Sequence, residues 1–85
     1  MSALIPPVFV RVRDREKVIF EGQVTSITSV NRVGKFDVLS RHANFITLVG
    51  EKLILRTLEG REEEIKVETG VMRVQENKVQ VYVGL

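Results

Sequence analysis

Valines at every second position mark both ends of this chain. Residues 8–13 read Val-Phe-Val-Arg-Val-Arg, and residues 78–83 read Lys-Val-Gln-Val-Tyr-Val. Successive side chains of a strand point to opposite faces, so each segment predicts a strand with one apolar face. The chain has 15 valines against two alanines, and branched side chains fit a pleated sheet but lose rotamer freedom in a helix. Strands are therefore expected throughout, and helices are not.

Polar or glycine-containing segments divide the rest of the chain. Turns are predicted at 14–17, 31–34, 59–60 and 76–77, because charged residues, asparagine and glycine favour turn conformations. Three further interruptions are expected: a bend or bulge at Gly22, a turn at Gly50-Glu51, and a break between Glu68 and Val71. Segments recurring at this spacing predict an all-β fold, a small flattened β-sandwich or closed barrel of about 8 to 10 short strands.

Length, cysteine content and charge limit the possible functions. Eighty-five residues form one small domain, 1–85, with a modest core and no room for an elaborate active site. The absence of cysteine excludes disulfides and thiolate metal sites, and it fits a reducing cytoplasm. The formal charge of +2 is spread over mixed signs, which gives no strong attraction to nucleic acid. No segment approaches the roughly 20 apolar residues of a membrane span, and residues 1–10 lack the features of a signal peptide.

The only histidine lies in a polar loop between two apolar segments. Phe36, Val38 and Leu39 lead into Ser40–Asn44, and a second apolar segment follows, so the pattern predicts strand, loop, strand. A metal site needs three or four ligands, and His42 has no second histidine or cysteine to join it. Ser40 and His42 lack the third group that orients a nucleophile and its base. No catalytic residue, metal or cofactor is expected, and His42 is a structural or partner-facing residue.

Three segments together resemble a known family. Residues 34–45 carry Gly-x-Phe-x-Val-Leu-x-x-His-Ala-x-Phe, residues 18–27 carry Val-Ile-Phe-Glu-Gly-Gln-Val-Thr-Ser-Ile, and residues 69–81 carry Thr-Gly-Val-Met-Arg-Val-Gln-Glu-Asn-Lys-Val-Gln-Val. In this order and spacing they resemble the N-terminal β-sandwich domain of the epsilon subunit of F-type ATP synthases. The resemblance covers nearly the whole chain.

The resemblance implies a non-catalytic subunit of the rotating central stalk. In the family this domain packs on the gamma subunit and touches the polar loops of the c-ring, so the complex holds it at the cytoplasmic face of the inner membrane and it couples proton or sodium transport to ATP synthesis. Matching positions 34–36 and 42–43 would lie near the edge that faces the ring and stalk, although Phe36 and Ala43 could equally belong to the core. The expected partner contacts are Lys35, Arg41, His42 and Asn44, with Lys35 and His42 alternatively plain surface residues.

Two departures from the family pattern keep a second hypothesis open. Ser40-Arg41 and Asn44 replace a Pro-Gly pair and a proline, and Lys35 replaces an acidic residue. The alternative is a stand-alone sandwich recruited to another complex, with the arginines as a possible nucleic-acid surface, although four Phe, one Tyr and no Trp supply few stacking platforms. A continuous exposed apolar patch would favour the rotor subunit. Family members also continue into a C-terminal helical hairpin that restrains ATP hydrolysis. If Leu85 is the natural end of the chain, a subunit without that hairpin is expected; the alternative is that the sequence is a fragment of a longer chain.

Overall fold

Six strands make up all the regular structure of residues 5–84, the range that the computed structural model describes. The strands are β1 (Val8–Arg13), β2 (Val18–Val30), β3 (Lys35–Leu39), β4 (Phe45–Thr57), β5 (Glu62–Gln75) and β6 (Lys78–Val83). The all-β class predicted from the valine pattern is confirmed.

The strands form one sheet that closes on itself. Their order is β1-β6-β5-β4-β2-β3, and an additional antiparallel pairing of β1 with β2 completes a closed ring of five strands. β3 stays outside the ring and pairs only with the second half of β2. All neighbours are antiparallel except β1 and β6, which run parallel. The closed sheet is flattened, with overall dimensions of 43 × 25 × 19 Å, so it has the form of a small sandwich.

Alternating residues of every strand point inward and form one apolar core. The alternation predicted for 8–13 and 78–83 is confirmed, since their valines are buried and the residues between them face outward. Four larger side chains, Phe20, Phe36, Phe45 and Ile65, pack at the margin of this core. The fully or nearly buried apolar residues are Val8, Val10, Val12, Val24, Ile27, Val38, Val49, Leu53, Leu55, Val67, Met72, Val74, Val79, Val81 and Val83.

The prediction of 8 to 10 short strands is wrong, because the predicted interruptions do not end strands. Gly22 lies in register opposite Val10, and the irregularity between β1 and β2 falls nearer the start of β2. Gly50 and Glu51 form a bulge within β4, where Glu51 takes the positive φ of 65°. β5 likewise continues through 69–70. A glycine in a strand indicates a local irregularity, but a bulge uses the same residue as a turn and leaves the chain direction unchanged.

The four predicted turns are present. At 14–17 the carboxylate of Asp14 accepts hydrogen bonds of 2.8 Å from the backbone N–H groups of both Glu16 and Lys17. These bonds, that from Glu16 first, lower the pKa of Asp14 below its ordinary value. Glu76 and Asn77 both have positive φ, 52° and 64°, which is the type I′ geometry that suits a two-residue hairpin.

The long strands β4 and β5 give the molecule two different outer faces. On one, the first half of β4 and the second half of β5 continue into β6, β1 and the first half of β2; we call this the β6 face. On the other, the remaining halves of β4 and β5 lie beside the second half of β2 and β3; we call this the β3 face. The loop Ser40–Asn44 connects β3 to β4.

Candidate partner interface

The loop Ser40–Asn44 places a cation and an imidazole at the surface. Its turn is closed by the His42 N–H, which donates to the Leu39 carbonyl oxygen at 3.1 Å. Arg41 is exposed and has a φ of 66°, uncommon for a residue with a side chain. The half-buried His42 ring packs against the Phe45 ring at 4.9 Å between centroids, and its Nδ1 lies 2.7 Å from the Ala43 carbonyl oxygen. Because a carbonyl only accepts, this contact assigns the proton to Nδ1.

Two asparagines bind this loop to the β5–β6 turn. The Asn77 side chain accepts from the Arg41 N–H at 2.6 Å through Oδ1 and donates to Ser40 Oγ at 3.2 Å through Nδ2. In the opposite direction, Asn44 Oδ1 accepts from the Glu76 N–H at 3.0 Å. We call these three contacts the asparagine clasp. Asn44 was predicted as a partner contact, and its side-chain oxygen is already used inside the protein.

The structure brings three of the four predicted contact residues together and leaves the fourth apart. Arg41, His42 and Asn44 share the loop, whereas Lys35 begins β3 at the opposite end of that strand. Four steps of about 3.3 Å separate Lys35 from Leu39 by about 13 Å along β3. The exposed Lys35 lies in a shallow groove of the β3 face together with Glu51 and Lys52. Of the two positions that could have been core, Phe36 packs against the core and Ala43 is exposed.

An apolar row crosses the β6 face from β4 to β2. Leu48 pairs with Val71, and Val71 pairs with Tyr82. Tyr82 then lies beside Arg13, which pairs with Val18. Residues that pair across strands point to the same face, so Leu48, Val71 and Tyr82 form a continuous apolar set, and Arg13 separates this set from Val18. We call Leu48, Val71, Tyr82 and Val18 the apolar row. Leu48 is 61%, Tyr82 44% and Val18 42% exposed, values far above those of core residues.

Further apolar side chains widen this row. Ile46 is 68% exposed and lies two residues before Leu48, on the same face of β4. Ile19, 40% exposed, follows Val18 at the other end. In the sequence, this surface is indicated by the segment Phe45–Val49, which has more apolar residues than a strand with one solvent-facing side is expected to have. Without the strand order, nothing showed that its outward residues continue into β5 and β6.

Polar side chains from four strands are bonded together on the β3 face. Thr28 in β2 donates its hydroxyl to the Asp37 carboxylate in β3 and accepts from Arg56 Nη1 in β4 at 2.9 Å. Arg56 Nη1 also donates to Ser26 Oγ at 3.2 Å, and its Nε pairs with the Glu62 carboxylate of β5 at 3.0 Å. Within residues 5–84 no buried side-chain nitrogen or oxygen lacks a hydrogen-bond partner. We call these contacts the Arg56 network.

The described residues offer no catalytic or metal-binding constellation. Ser40 and His42 are not paired, since Ser40 Oγ accepts from Asn77 and His42 Nδ1 faces Ala43. Across residues 5–84, no group of three or more His, Asp or Glu side chains lies close enough to bind a metal ion. The same part of the chain contains no helix long and apolar enough to cross a membrane. The features that the surface does present are a polar loop and an apolar row.

Comparison with known proteins gives the same family as the sequence motifs. Residues 8–84 match the family model for the ATP synthase Delta/Epsilon chain β-sandwich domain. The ATP synthase epsilon chain of a Nitratiruptor species is 34% identical over 64 residues, which cover 74% of this chain and 50% of that protein. The epsilon chain of Sulfurimonas denitrificans is 36% identical over 67 residues, 78% of this chain and 52% of the other. The chain thus spans about half the length of these relatives.

Solved structures support the fold independently of sequence identity. A chain in the cryo-EM structure of the Euglena gracilis mitochondrial ATP synthase (OSCP/F1/c-ring) superposes with a TM-score of 0.86 at 17% identity, covering 98% of this chain and 54% of that one. A chain in the central stalk and c-ring structure of the Tetrahymena thermophila mitochondrial ATP synthase superposes with a TM-score of 0.75 at 15% identity, covering 92% of this chain and 63% of that one. The motifs, the strand arrangement and the match over 8–84 agree, and this chain therefore belongs to the ATP synthase Delta/Epsilon β-sandwich family.

Proposed function

We propose that this chain is a non-catalytic central-stalk subunit of a proton- or sodium-translocating F-type ATP synthase. It binds the gamma subunit through the β6 face and contacts the c-ring through the loop Ser40–Asn44. The complex carries it to the cytoplasmic face of the inner membrane. The observation that supports this most directly is the apolar row: family membership supports the kind of complex, and the row supports a binding surface within it.

The apolar row has the properties of a protein-binding surface. A folded monomer seldom exposes a contiguous set of large apolar side chains, and where it does the set usually marks an interaction site. Leu48 and Tyr82 lie on different strands, yet the register aligns them across Val71. Tyrosine near the centre of such a patch is favourable, since aromatic residues supply much of the binding free energy of interfaces. The continuous part of the row, from Leu48 through Val71 to Tyr82, is the kind of patch expected of a rotor subunit rather than of a recruited polar module.

The loop suits a polar partner rather than an apolar one. Arg41 and Ala43 are exposed, and His42 is held against Phe45, so the loop presents one full positive charge on a fixed backbone. The polar loops of a c-ring are a surface of matching chemistry. Lys35 lies at the other end of β3, about 13 Å from Leu39 along the strand. It is a second contact only if the ring surface extends along the β3 edge. Asn44 supports the loop from within.

The first experiment tests the gamma contact. The purified chain is mixed with the gamma subunit of the same source, and the complex is measured by size-exclusion chromatography with light scattering. Wild type should form a one-to-one complex at micromolar concentration, and Leu48→Glu should weaken it at least about tenfold, because a buried unpaired carboxylate is unfavourable. Leu58→Glu is the matched control, since Leu58 is 52% exposed in the β4–β5 turn. An absent wild-type complex with folded gamma, or equal weakening by Leu58→Glu, would contradict the proposal.

A second experiment tests the ring contact. In the assembled enzyme, Arg41→Glu should lower ATP-driven ion pumping relative to ATP hydrolysis, because it reverses the charge of the loop. Arg61→Glu is the control, because Arg61 is also exposed but lies in the β4–β5 turn. Loss of gamma binding by Arg41→Glu would contradict the assignment of the loop to the ring, because the loop lies off the apolar row. Unchanged pumping in Arg41→Glu would remove the loop from the ring interface.

A further inference from the structure

We propose that Asn77 is the positioning residue of the loop Ser40–Asn44. Through the asparagine clasp it fixes the conformation in which Arg41 and His42 are presented, and it joins the loop to the sheet that carries the apolar row. The inference rests on the proposed function for its consequence, a partner contact at the loop. The clasp itself is a property of the free chain and can be measured there.

Apart from the clasp, the loop is held by the His42 ring, which contacts Phe45 and the Ala43 carbonyl oxygen, and by little else. Within residues 5–84, its backbone makes a single hydrogen bond to other backbone, from the His42 N–H to Leu39. Arg41 is in the left-handed region, which a residue with a Cβ occupies only where its surroundings enforce it. The Arg41 N–H points to Asn77 Oδ1 at 2.6 Å, the shortest contact that the loop makes. The strained Arg41 conformation is therefore held by a side chain from outside the loop, that of Asn77.

Asparagine suits position 77 both in backbone conformation and in side-chain chemistry. Its φ of 64° restricts the position to residues that tolerate the left-handed region, chiefly glycine, asparagine and aspartate. Among these, asparagine supplies an acceptor for Arg41 and a donor for Ser40 at once, glycine supplies neither, and aspartate supplies acceptors to both the Arg41 N–H and the Ser40 hydroxyl. The Asn77 carbonyl oxygen also accepts from the Phe9 N–H at 2.9 Å, which fixes the turn to β1.

The clasp links the two proposed partner surfaces. Asn77 closes the hairpin of β5 and β6, and these strands contribute Val71 and Tyr82 to the apolar row. Asn44 completes the link from the loop side by accepting from the Glu76 N–H. A displacement of the loop is therefore passed to the β6 face through side chains at this turn, as well as along β4. No sequence pattern indicated this link, since positions 41 and 77 are far apart in the chain.

The test on the free chain uses amide hydrogen exchange by NMR. Asn77→Gly keeps a residue suited to positive φ and removes the carboxamide, so exchange of the Arg41 amide should rise about tenfold, with the core amide of Val81 unchanged. Asn77→Asp should restore protection, because its carboxylate accepts from Arg41 and the Ser40 hydroxyl can donate to it. A change below about twofold in Asn77→Gly, or equal exchange in both variants, would overturn the clasp.

A second pair of variants avoids the turn altogether. Asn44 does not have positive φ, so its replacement leaves the hairpin geometry unaffected. Asn44→Ala should raise exchange of the Glu76 amide about tenfold, and Asn44→Asp should restore its protection. An unprotected Glu76 amide in wild type would overturn this half of the clasp and with it the proposal.

In the assembled enzyme, Asn77→Gly should lower the ratio of ions pumped to ATP hydrolysed while gamma binding is kept, and Asn77→Asp should restore the ratio. A normal ratio in Asn77→Gly, with the Arg41 amide exposed, would overturn the positioning role. Failure of the wild-type chain to bind gamma would instead refute the proposed function, and the exchange measurements would still decide the clasp.

Discussion

Replacing Gly70 with alanine would place a methyl group against the backbone of β6, near the end of that strand where it pairs with β5. A Cβ at this position would lie 2.8 Å from the Tyr82 carbonyl oxygen, 3.2 Å from Val49 Cγ2 and 3.4 Å from Val67 Cγ1. Gly70 pairs with Val49 on one side and with Val83 on the other. The nearest atom belongs to a paired strand, so relief requires β5 and β6 to separate locally.

Overpacking of this kind typically lowers the free energy of unfolding by about 1–3 kcal/mol. The backbone contact places Gly70→Ala in the upper half of that range, at about 2 kcal/mol or more. In a domain of this size, about 2 kcal/mol corresponds to a Tm lower by about 8–16 °C. Alanine also restricts the unfolded chain, which offsets about 0.4–1 kcal/mol of the loss.

Urea and thermal unfolding followed by circular dichroism would measure the change. Gly22→Ala is the matched control: Gly22 also lies within a strand, but its added Cβ would meet only Phe20 ring atoms at an ordinary 3.8 Å. That variant should fall within about 0.5 kcal/mol of wild type or be slightly more stable. Unfolding of Gly70→Ala at the same urea concentration as Gly22→Ala would show that β5 and β6 do not approach closely at Gly70.

Three further predictions concern the turn, the Arg56 network and the core. Because the pKa of Asp14 is lowered in the folded protein, the Asp14 carboxylate stabilises the fold at pH values above its ordinary pKa, and this contribution is lost as the pH falls below about 4. Asp14→Ala should therefore reduce the fall of Tm at acid pH, measured as Tm against pH. Thr28→Val, which leaves Asp37 without its hydroxyl donor, should lower the free energy of unfolding by about 1–3 kcal/mol in urea, and Thr28→Ser much less. Leu55→Ala in the core should lower it by about 2–5 kcal/mol in the same assay, against less than about 0.5 for the exposed Leu58→Ala.

The strand faces and tight turns of this fold could be predicted because local chemistry determines them. Valine alternation at 8–13 and 78–83 decided which side chains are buried, and Glu76-Asn77 could only be a tight turn between two strands. The number of strands was wrong at Gly50 for a physical reason. The local sequence of a bulge resembles that of a turn, and only pairing with β5 on both sides of Gly50 keeps β4 continuous.

The candidate site was predictable in part for a related reason. Loop residues 40–44 stood out by composition, so Arg41 and His42 could be named. The partner of that loop, Asn77, could not, because its turn conformation is a local property but the direction of its side chain depends on the closed sheet. The apolar row likewise depends on strand order, which no single segment encodes. The family resemblance indicated the loop as a candidate partner surface, and only the register showed which outward residues lie side by side.

The parallel pairing of β1 with β6 affects how the protein must fold. The first described strand lies between β2 and β6, so the ring cannot close until the last strand has been synthesised. Before then β1 and β5 each present an unpaired edge, which in a nascent chain invites pairing with other chains. Such non-local closure is slow, on the order of milliseconds to seconds. During that interval a chaperone would encounter an open sheet, and truncation within β6 should yield aggregation rather than a smaller folded domain.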